Sequence, residues 1–215
     1  MNIFGMKSTM VAPEQALAGR AAPVLPNPAP HLILGSTLTG PWPDGTEVIY
    51  LAMGCFWGAE EIYWRMPGVV STSVGYMGGY SPNPTYEEVC SGRTGHTETV
   101  MVAYDPSVLT TYDVLRAFWE NHDPTQGYRQ GNDIGTQYRS ALFTTTPEQA
   151  DLAARTRDAY ARVIADRGYP EITTHIQPAA EVPYYLAEDY HQQYLYKNPH
   201  GYRCHANTGL SLPSM

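Results

Sequence analysis

The stretch with the clearest capacity for chemistry is Gly54-Cys55-Phe56-Trp57-Gly58. It follows an apolar, strand-like run, Glu47-Val48-Ile49-Tyr50-Leu51-Ala52. After it, Ala59, Ile62, Tyr63 and Met66 recur at i, i+3, i+4 and i+7, the period of a helix with one apolar face. A cysteine between a strand and a helix faces unpaired backbone N–H groups and the positive end of the helix dipole. Those surroundings favour the thiolate, the form that reacts. Phe56 and Trp57 beside the sulfur could wall a small apolar pocket or simply pack in a core, and buried structural cysteines are common. Glu98 is the second residue of note. It falls in a strand-like run, Thr97–Tyr104, whose period of two puts it on one face with Val100, Val102 and Tyr104. A carboxylate on an apolar face is unusual. The opposite face, Thr99, Met101 and Ala103, is not strongly polar, so which side is inward stays open.

Several elements must position these residues. Seven prolines between positions 13 and 43 forbid long helices and central strands in residues 1–45. This segment is expected as an extended arm laid over the domain, with room for a short helix at 13–17. The core begins near Thr46. Pro67-Gly68 stops the first helix, and 69–76 reads as a strand. A loop rich in glycine and proline follows, then a short helix, 85–90, capped by Thr85. A helix over 111–121 turns Leu115, Phe118 and Trp119 inward. The long polar loop from His122 to Gly135 has the length of a functional loop. A strand is expected over 138–145. Thr146-Pro147-Glu148-Gln149 reads as a capping box with proline at the first helical position. The helix it opens carries Leu152, Thr156, Tyr160 and Val163 on one stripe and ends at Gly168. A strand over 172–177 and a short polar helix over 187–195 complete the elements. From Asn198 the chain looks like a mobile tail. Strands and helices interleave irregularly, which predicts a mixed sheet with helices packed on it.

The chain has 215 residues, enough for one domain with extensions. Its formal charge of −8 argues against nucleic acid and anionic membranes as partners. No apolar stretch is long enough to span a bilayer. The start, residues 1–7, has no basic segment leading into an apolar one, so a cytoplasmic location is expected. Cys55, Cys90 and Cys204 are odd in number and far apart, unlike a secreted disulfide framework. No Cys-x-x-Cys pair suggests a zinc knuckle or a dithiol. Seventeen tyrosines stand against four phenylalanines, which suits a pocket that is both apolar and hydrogen-bonding.

Further motifs run through the chain in order: Gly75-Tyr76 with Gly78-Gly79-Tyr80, Asn83-Pro84-Thr85-Tyr86, Gly95-His96-Thr97-Glu98, and Trp119-Glu120-Asn121-His122-Asp123-Pro124. They continue with Gly131-Asn132-Asp133, Gly135-Thr136-Gln137-Tyr138-Arg139-Ser140, and Glu188-Asp189-Tyr190-His191-Gln192-Gln193-Tyr194. With the cysteine motif, these make residues 46–202 resemble the A-type peptide methionine sulfoxide reductases. The arm is similar to the N-terminal extension of longer members. The resemblance implies an α+β fold, a two-layer α/β sandwich on a mixed sheet with a ferredoxin-like core, and long irregular N- and C-terminal segments. It divides the chain into an arm, 1–45, a catalytic domain, 46–197, and a tail, 198–215.

The implied reaction is thiol-dependent reduction of methionine (S)-sulfoxide, free or in proteins. The resemblance assigns Cys55 as nucleophile, Glu98 as the acid that protonates the sulfoxide oxygen, and Tyr86 and Tyr138 as donors to that oxygen. Asp133 would orient the substrate, and Phe56 and Trp57 would cradle its S-methyl group. The chemistry is coherent. Oxygen leaves sulfur poorly unless it is protonated, so the site needs a nucleophile, an acid and oxygen-directed donors. Burial of Glu98 would keep it protonated near neutrality. Lowering a cysteine pKa from about 8.5 to about 7 takes roughly 2 kcal/mol, and a helix terminus supplies only about 0.3–1 kcal/mol. The thiolate is therefore expected only when a proton moves within the Cys55–Glu98 pair as substrate binds.

Oxygen transfer would leave Cys55 as a sulfenic acid. Cys204, on the glycine-containing tail, is the candidate to condense with it, and thioredoxin the expected reductant. Many relatives of this type carry two tail cysteines. Here Gly201-Tyr202-Arg203-Cys204 and Ser211-Leu212-Pro213 leave one, so a single disulfide, Cys55–Cys204, is expected. Cys90 is expected to be a small buried apolar residue. No metal or organic cofactor is required. Two other readings stay available: a thiol hydrolase pairing Cys55 with a histidine at 96, 122, 191, 200 or 205, and a redox sensor that switches a partner interface through its cysteines.

Overall fold

A computed structural model describes residues 8–204 and 206–215. The readings that involve residues 1–7, and His205, lie outside the described residues. Strands β1 (Glu47–Met53), β2 (Val69–Met77), β3 (Thr97–Tyr104), β6 (Ser140–Thr144), β7 (His175–Pro178) and β8 (Tyr185–Leu186) form one mixed sheet in the order β7-β6-β1-β3-β2-β8. Among the described strand pairs, only β6 and β7 run parallel. The loop expected to be irregular between His122 and Gly135 contains a two-stranded hairpin, β4 (Arg129–Gln130) with β5 (Asp133–Ile134). The helices are α1 (Phe56–Trp64), α2 (Tyr86–Cys90), α3 (Thr111–Glu120), α4 (Pro147–Ala165) and α5 (Tyr194–Lys197). The architecture is α+β.

Strand β1 lies between two antiparallel partners, with Leu51 opposite Val100 on one side and Leu142 on the other. Residues opposite one another share a face. Ile49, Leu51, Val100, Val102 and Leu142 therefore meet α1, α3 and α4 through Tyr63, Leu115, Phe118, Trp119 and Tyr160 in one core. Burying each such side chain contributes roughly 1.5–3 kcal/mol. All eight residues of β3 are buried, which is why neither of its faces reads as polar. Ala52, Met77, Ala141 and Phe143 pack on the opposite side of the sheet.

Four local expectations are corrected. Helix α4 buries Ala153, Thr156, Tyr160 and Ile164, with Leu152 and Val163 only half-buried. Its cap is one-sided: Thr146 accepts from the Gln149 N–H, but Gln149 Oε1 takes the Thr145 N–H at 2.9 Å. The strand expected over 172–177 is shorter, His175–Pro178. The segment 187–195 is not one helix. A single 3-10 turn, Asp189–His191, is followed by Gln192 and by Gln193 at φ 48°. Tertiary bonds override the helical propensity. The Gln192 side chain bonds both the N–H and the C=O of Val74, and the Gln193 N–H donates to Glu60 Oε2 at 2.9 Å.

The arm and tail take little regular structure but are tied to the domain. Leu17 donates to the Arg93 carbonyl at 2.9 Å, and Arg20 pairs with Glu88 at 2.8 Å. His31 is buried, with Nε2 2.9 Å from Thr72 Oγ1. The expected helix at 13–17 is one 3-10 turn, Pro13–Gln15. The segment expected as a mobile tail is fastened by Arg203 to Glu61, by the Leu212 N–H to Glu120, and by Tyr112 to the Pro213 carbonyl. Leu212 is buried.

Candidate active site

Cys55 is the N-cap residue of α1. The turn into it depends on Gly54, whose φ of 91° is unfavourable for any side chain. A Cβ there would meet Gln130 Cβ and Cγ at 2.7 Å. The Trp57 N–H faces the Cys55 sulfur, as expected at a helix start. Burial nevertheless dominates and pushes the thiol well above its ordinary pKa, with the charges of Glu98, Asp133 and Cys204 adding to the effect. The resting cysteine is protonated.

Glu98 is buried and its Oε2 accepts from the Phe56 N–H at 2.9 Å. Thus β3 delivers the carboxyl to the first turn of the helix that Cys55 caps. Burial raises Glu98 to about 8, the Phe56 bond opposes that, and Asp133 adds to it. At neutral pH the carboxyl is mostly protonated and able to donate.

Tyr86 opens α2 behind a full capping box formed by Thr85 and Glu88. Its N–H donates to Glu188 Oε1 at 2.8 Å, and Glu188 Oε2 accepts from Tyr76 at 2.9 Å. Tyr138 is not on a strand, contrary to expectation. It closes a 3-10 turn, Thr136–Tyr138, with its N–H bonded to the Gly135 carbonyl at 3.0 Å. Gly135, at φ 153°, breaks the extended run, so β6 starts only at Ser140. Both phenols lie near Glu98, and both are raised by burial first and by its charge second. They are neutral donors across the physiological range.

Phe56 and Trp57 differ. Phe56 is 1% exposed and packs near Tyr76 and His191. Trp57 is half-buried, stacks on Tyr194 with ring centroids 3.8 Å apart, and donates through Nε1 to His191 Nδ1 at 2.9 Å. That bond places the proton of the neutral imidazole on Nε2. Burial holds His191 down to about 4, so it stays neutral. Its ring also lies 4.4 Å from that of Tyr86. His191 therefore joins the tryptophan and tyrosine of the site. Gln130 was not singled out by sequence reasoning, and Glu188 and Tyr194 were given no individual role. Only their place inside family motifs, for Glu188 and Tyr194, gave any signal.

Asp133 stands on β5 and accepts from the Tyr202 hydroxyl at 3.2 Å. Burial raises its pKa. Cys55 and Cys204 line one cavity of about 210 Å³, together with Met53, Glu61, Gln130 and Arg203. Glu98, Tyr86, Tyr138 and Trp57 are not among its walls. The cysteine thus meets the tail on one side and the acid and phenols on another. Cys90 is not fully buried: its thiol lies in hydrogen-bond contact with the Tyr86 hydroxyl. No disulfide joins the three cysteines.

Three of the histidines offered for a hydrolase pairing are bound elsewhere: His96 by Gly79 and Ser81, His122 by Phe118 and Ser140, and His191 Nδ1 by Trp57. Among the described residues, no group of three His, Cys, Asp or Glu is placed to hold a metal ion. Nor is any helix among them long and apolar enough to cross a membrane.

The family model for peptide methionine sulfoxide reductase matches residues 47–214. The chain is 59% identical to the peptide methionine sulfoxide reductase MsrA of Salinispora arenicola, over 97% of this chain and 94% of that protein. It is 54% identical to the MsrA of Corynebacterium efficiens, over 96% and 95%. The solved structure of methionine sulfoxide reductase A of Corynebacterium diphtheriae superposes with a TM-score of 0.87 at 52% identity, covering 96% of this chain and all of that one. Reduced Mxr1 of Saccharomyces cerevisiae superposes with a TM-score of 0.70 at 35% identity, over 81% of this chain and 96% of that one.

Proposed function

The chain belongs to the peptide methionine sulfoxide reductase family, and we propose that it reduces methionine (S)-sulfoxide, free or in proteins, with Cys55 as nucleophile. It is an oxidoreductase acting on sulfur. The observation that carries the residue assignment is the Phe56 N–H bond to Glu98, which sets a buried, mostly protonated carboxyl beside the cysteine's own turn. Glu98 gives its proton to the sulfoxide oxygen, Tyr86 and Tyr138 donate to that oxygen, and the Cys55 thiol proton passes to the Glu98 carboxylate as the sulfur is attacked. The S–O bond of the substrate breaks, the oxygen passes to Cys55, and methionine leaves. Trp57, held by His191 and Tyr194, faces the methyl group with Phe56 behind it, and Asp133 orients the substrate.

The Cys55 sulfenic acid then condenses with the Cys204 thiol. The S–S bond forms, the S–OH and S–H bonds break, and water leaves. Support comes from the cavity that the two cysteines share. A thioredoxin-like dithiol regenerates both thiols by exchange, since the Cys55–Cys204 disulfide would sit on an open cavity beside the tail.

The catalytic unit spans residues 46–197, with the arm before it and the resolving segment after it. Its core is ferredoxin-like. In support, β1, α1, β2, β3, α3 and β6 occur in the order β-α-β-β-α-β, with α2 inserted before β3 and the β4–β5 hairpin before β6, and their strands stand in the sheet as fourth, first, third, second.

The test is stoichiometric. Reduced protein with excess methionine (S)-sulfoxide and no reductant should release about one methionine per chain and lose two thiols. No methionine would overturn the reading and favour a sensor. Two methionines would require a second acceptor, and Cys90 beside Tyr86 would be examined first.

A further inference from the structure

Three consecutive tail residues are each tied to a different element of the domain. The Tyr202 hydroxyl donates to Asp133 on β5, the Arg203 guanidinium pairs with Glu61 on α1, and the Cys204 thiol donates to the Gln130 carbonyl on β4 at 3.5 Å. The Arg203 contact is a fork: Nε to Glu61 Oε2 at 2.6 Å and one terminal nitrogen to Oε1 at 3.1 Å. Bidentate pairs of this kind fix direction as well as distance. Glu61 is also held by Arg65, one turn along the helix, at 2.7 Å. Arg203 further donates to the Pro199 and Gly201 carbonyls, which folds the preceding turn onto the same anchor.

Helix α1 begins immediately after Cys55, and Glu61, Arg203, Cys55 and Cys204 line one cavity. Arg203 is the residue directly before Cys204, so a clamp on its side chain restricts where the thiol can travel. We infer that Glu61 and Arg203 are positioning residues for the resolving step, forming a latch that holds Cys204 over the helix start from which the Cys55 sulfenic acid projects. The inference rests on the proposed role of Cys204. The step itself is the balanced condensation given above, needing no further oxidant. The latch raises its rate by holding the attacking thiol close instead of leaving it to a tail search.

The experiment follows one turnover of the full-length reduced protein with methionine (S)-sulfoxide. Dimedone trapping measures the lifetime of the sulfenic acid, and methionine release is the internal reference. The pair is only partly buried and such pairs contribute modestly, so Glu61→Gln and Arg203→Gln should each lengthen that lifetime about fivefold relative to methionine release. Arg203→Lys should recover part of the loss, because it keeps the charge without the fork. Raising NaCl from 0.05 to 0.5 M should slow resolution in the wild type and not in Glu61→Gln, since screening acts on the pair. Wild-type lifetimes and an unchanged salt response in both variants would overturn the latch. Cys204→Ser separates the two levels. If it still loses two thiols per methionine, the resolving role of Cys204 is wrong. If it halts at the sulfenic acid while Glu61→Gln resolves normally, only the latch is wrong.

Discussion

The backbone N–H of Phe56 donates to Glu98 Oε2 at 2.9 Å, so the residue after Cys55 holds the buried carboxyl. This single bond joins a strand carboxyl to the turn that presents Cys55. Because burial raises Glu98 to about 8, the first-turnover rate should fall as pH rises through about 8. Glu98→Gln should lose roughly 10²–10⁴-fold and with it that limb of the profile, read by rapid-quench release of methionine. A flat profile from pH 6 to 9 in the wild type would remove Glu98 as the acid.

The same shift has a sign for stability. A carboxyl raised from 4.5 to about 8 binds a proton in the folded state that the unfolded state has lost. Its contribution is complete below about 4.5 and is lost as pH rises through about 8. Glu60, raised to about 7 by burial, acts in the same direction. Urea unfolding should therefore show the wild type losing more stability between pH 5 and 9 than Glu98→Gln, with a residual slope left by Glu60.

Cys55 should be unreactive at rest. Its thiol is pushed up by burial and by the Glu98 charge. In a Cys90→Ser, Cys204→Ser background, iodoacetamide should label it slowly at pH 7 and faster only in strongly alkaline buffer, above the ordinary thiol range. Rapid labelling at pH 6 would mean a resting thiolate, and the proton would not need to move on substrate binding.

His191→Phe should leave the Trp57 indole N–H without its acceptor while keeping an aromatic ring. A fully buried donor left unpaired costs about 1–3 kcal/mol, and this partly buried one falls at the low end. The variant should unfold at lower urea and show a KM several-fold higher, with kcat changed less, because the tryptophan wall is loosened and the nucleophile is not. His191→Gln, which can accept, should recover part of the KM. Equal losses in kcat and kcat/KM would place His191 in the chemical step instead.

Gly54→Ala combines a strained φ with a Cβ 2.7 Å from Gln130 carbons. It should cost roughly 1–3 kcal/mol and also slow the first turnover, since Cys55 is the next residue. Adding Gln130→Ala should not restore the stability, because its own Cβ stays 2.7 Å from the new methyl and the bonds from the Gln130 side chain to the Asp123 backbone are lost.

The sequence by itself determined most of the elements, the family and the class of reaction. Strand β3 was legible because Thr97–Tyr104 is uninterrupted and bounded by glycine and aspartate, and α2 because Thr85 and Glu88 form a local capping box. Cys55 at a strand–helix junction was legible for the same reason: its signal lies within a dozen neighbouring residues. Where contacts come from far along the chain, the tertiary structure decided. Tyr138 left the strand pattern for a 3-10 turn set by Gly135. The polar helix expected over 187–195 broke because Gln192 bonds Val74 and Gln193 bonds Glu60, more than a hundred residues away. The same distance hid the grip of His191 on Trp57 and of Arg203 on Glu61. Local propensity is worth tenths of a kcal/mol per residue. A buried polar group left without its partner costs several times more, so these distant bonds outweighed it.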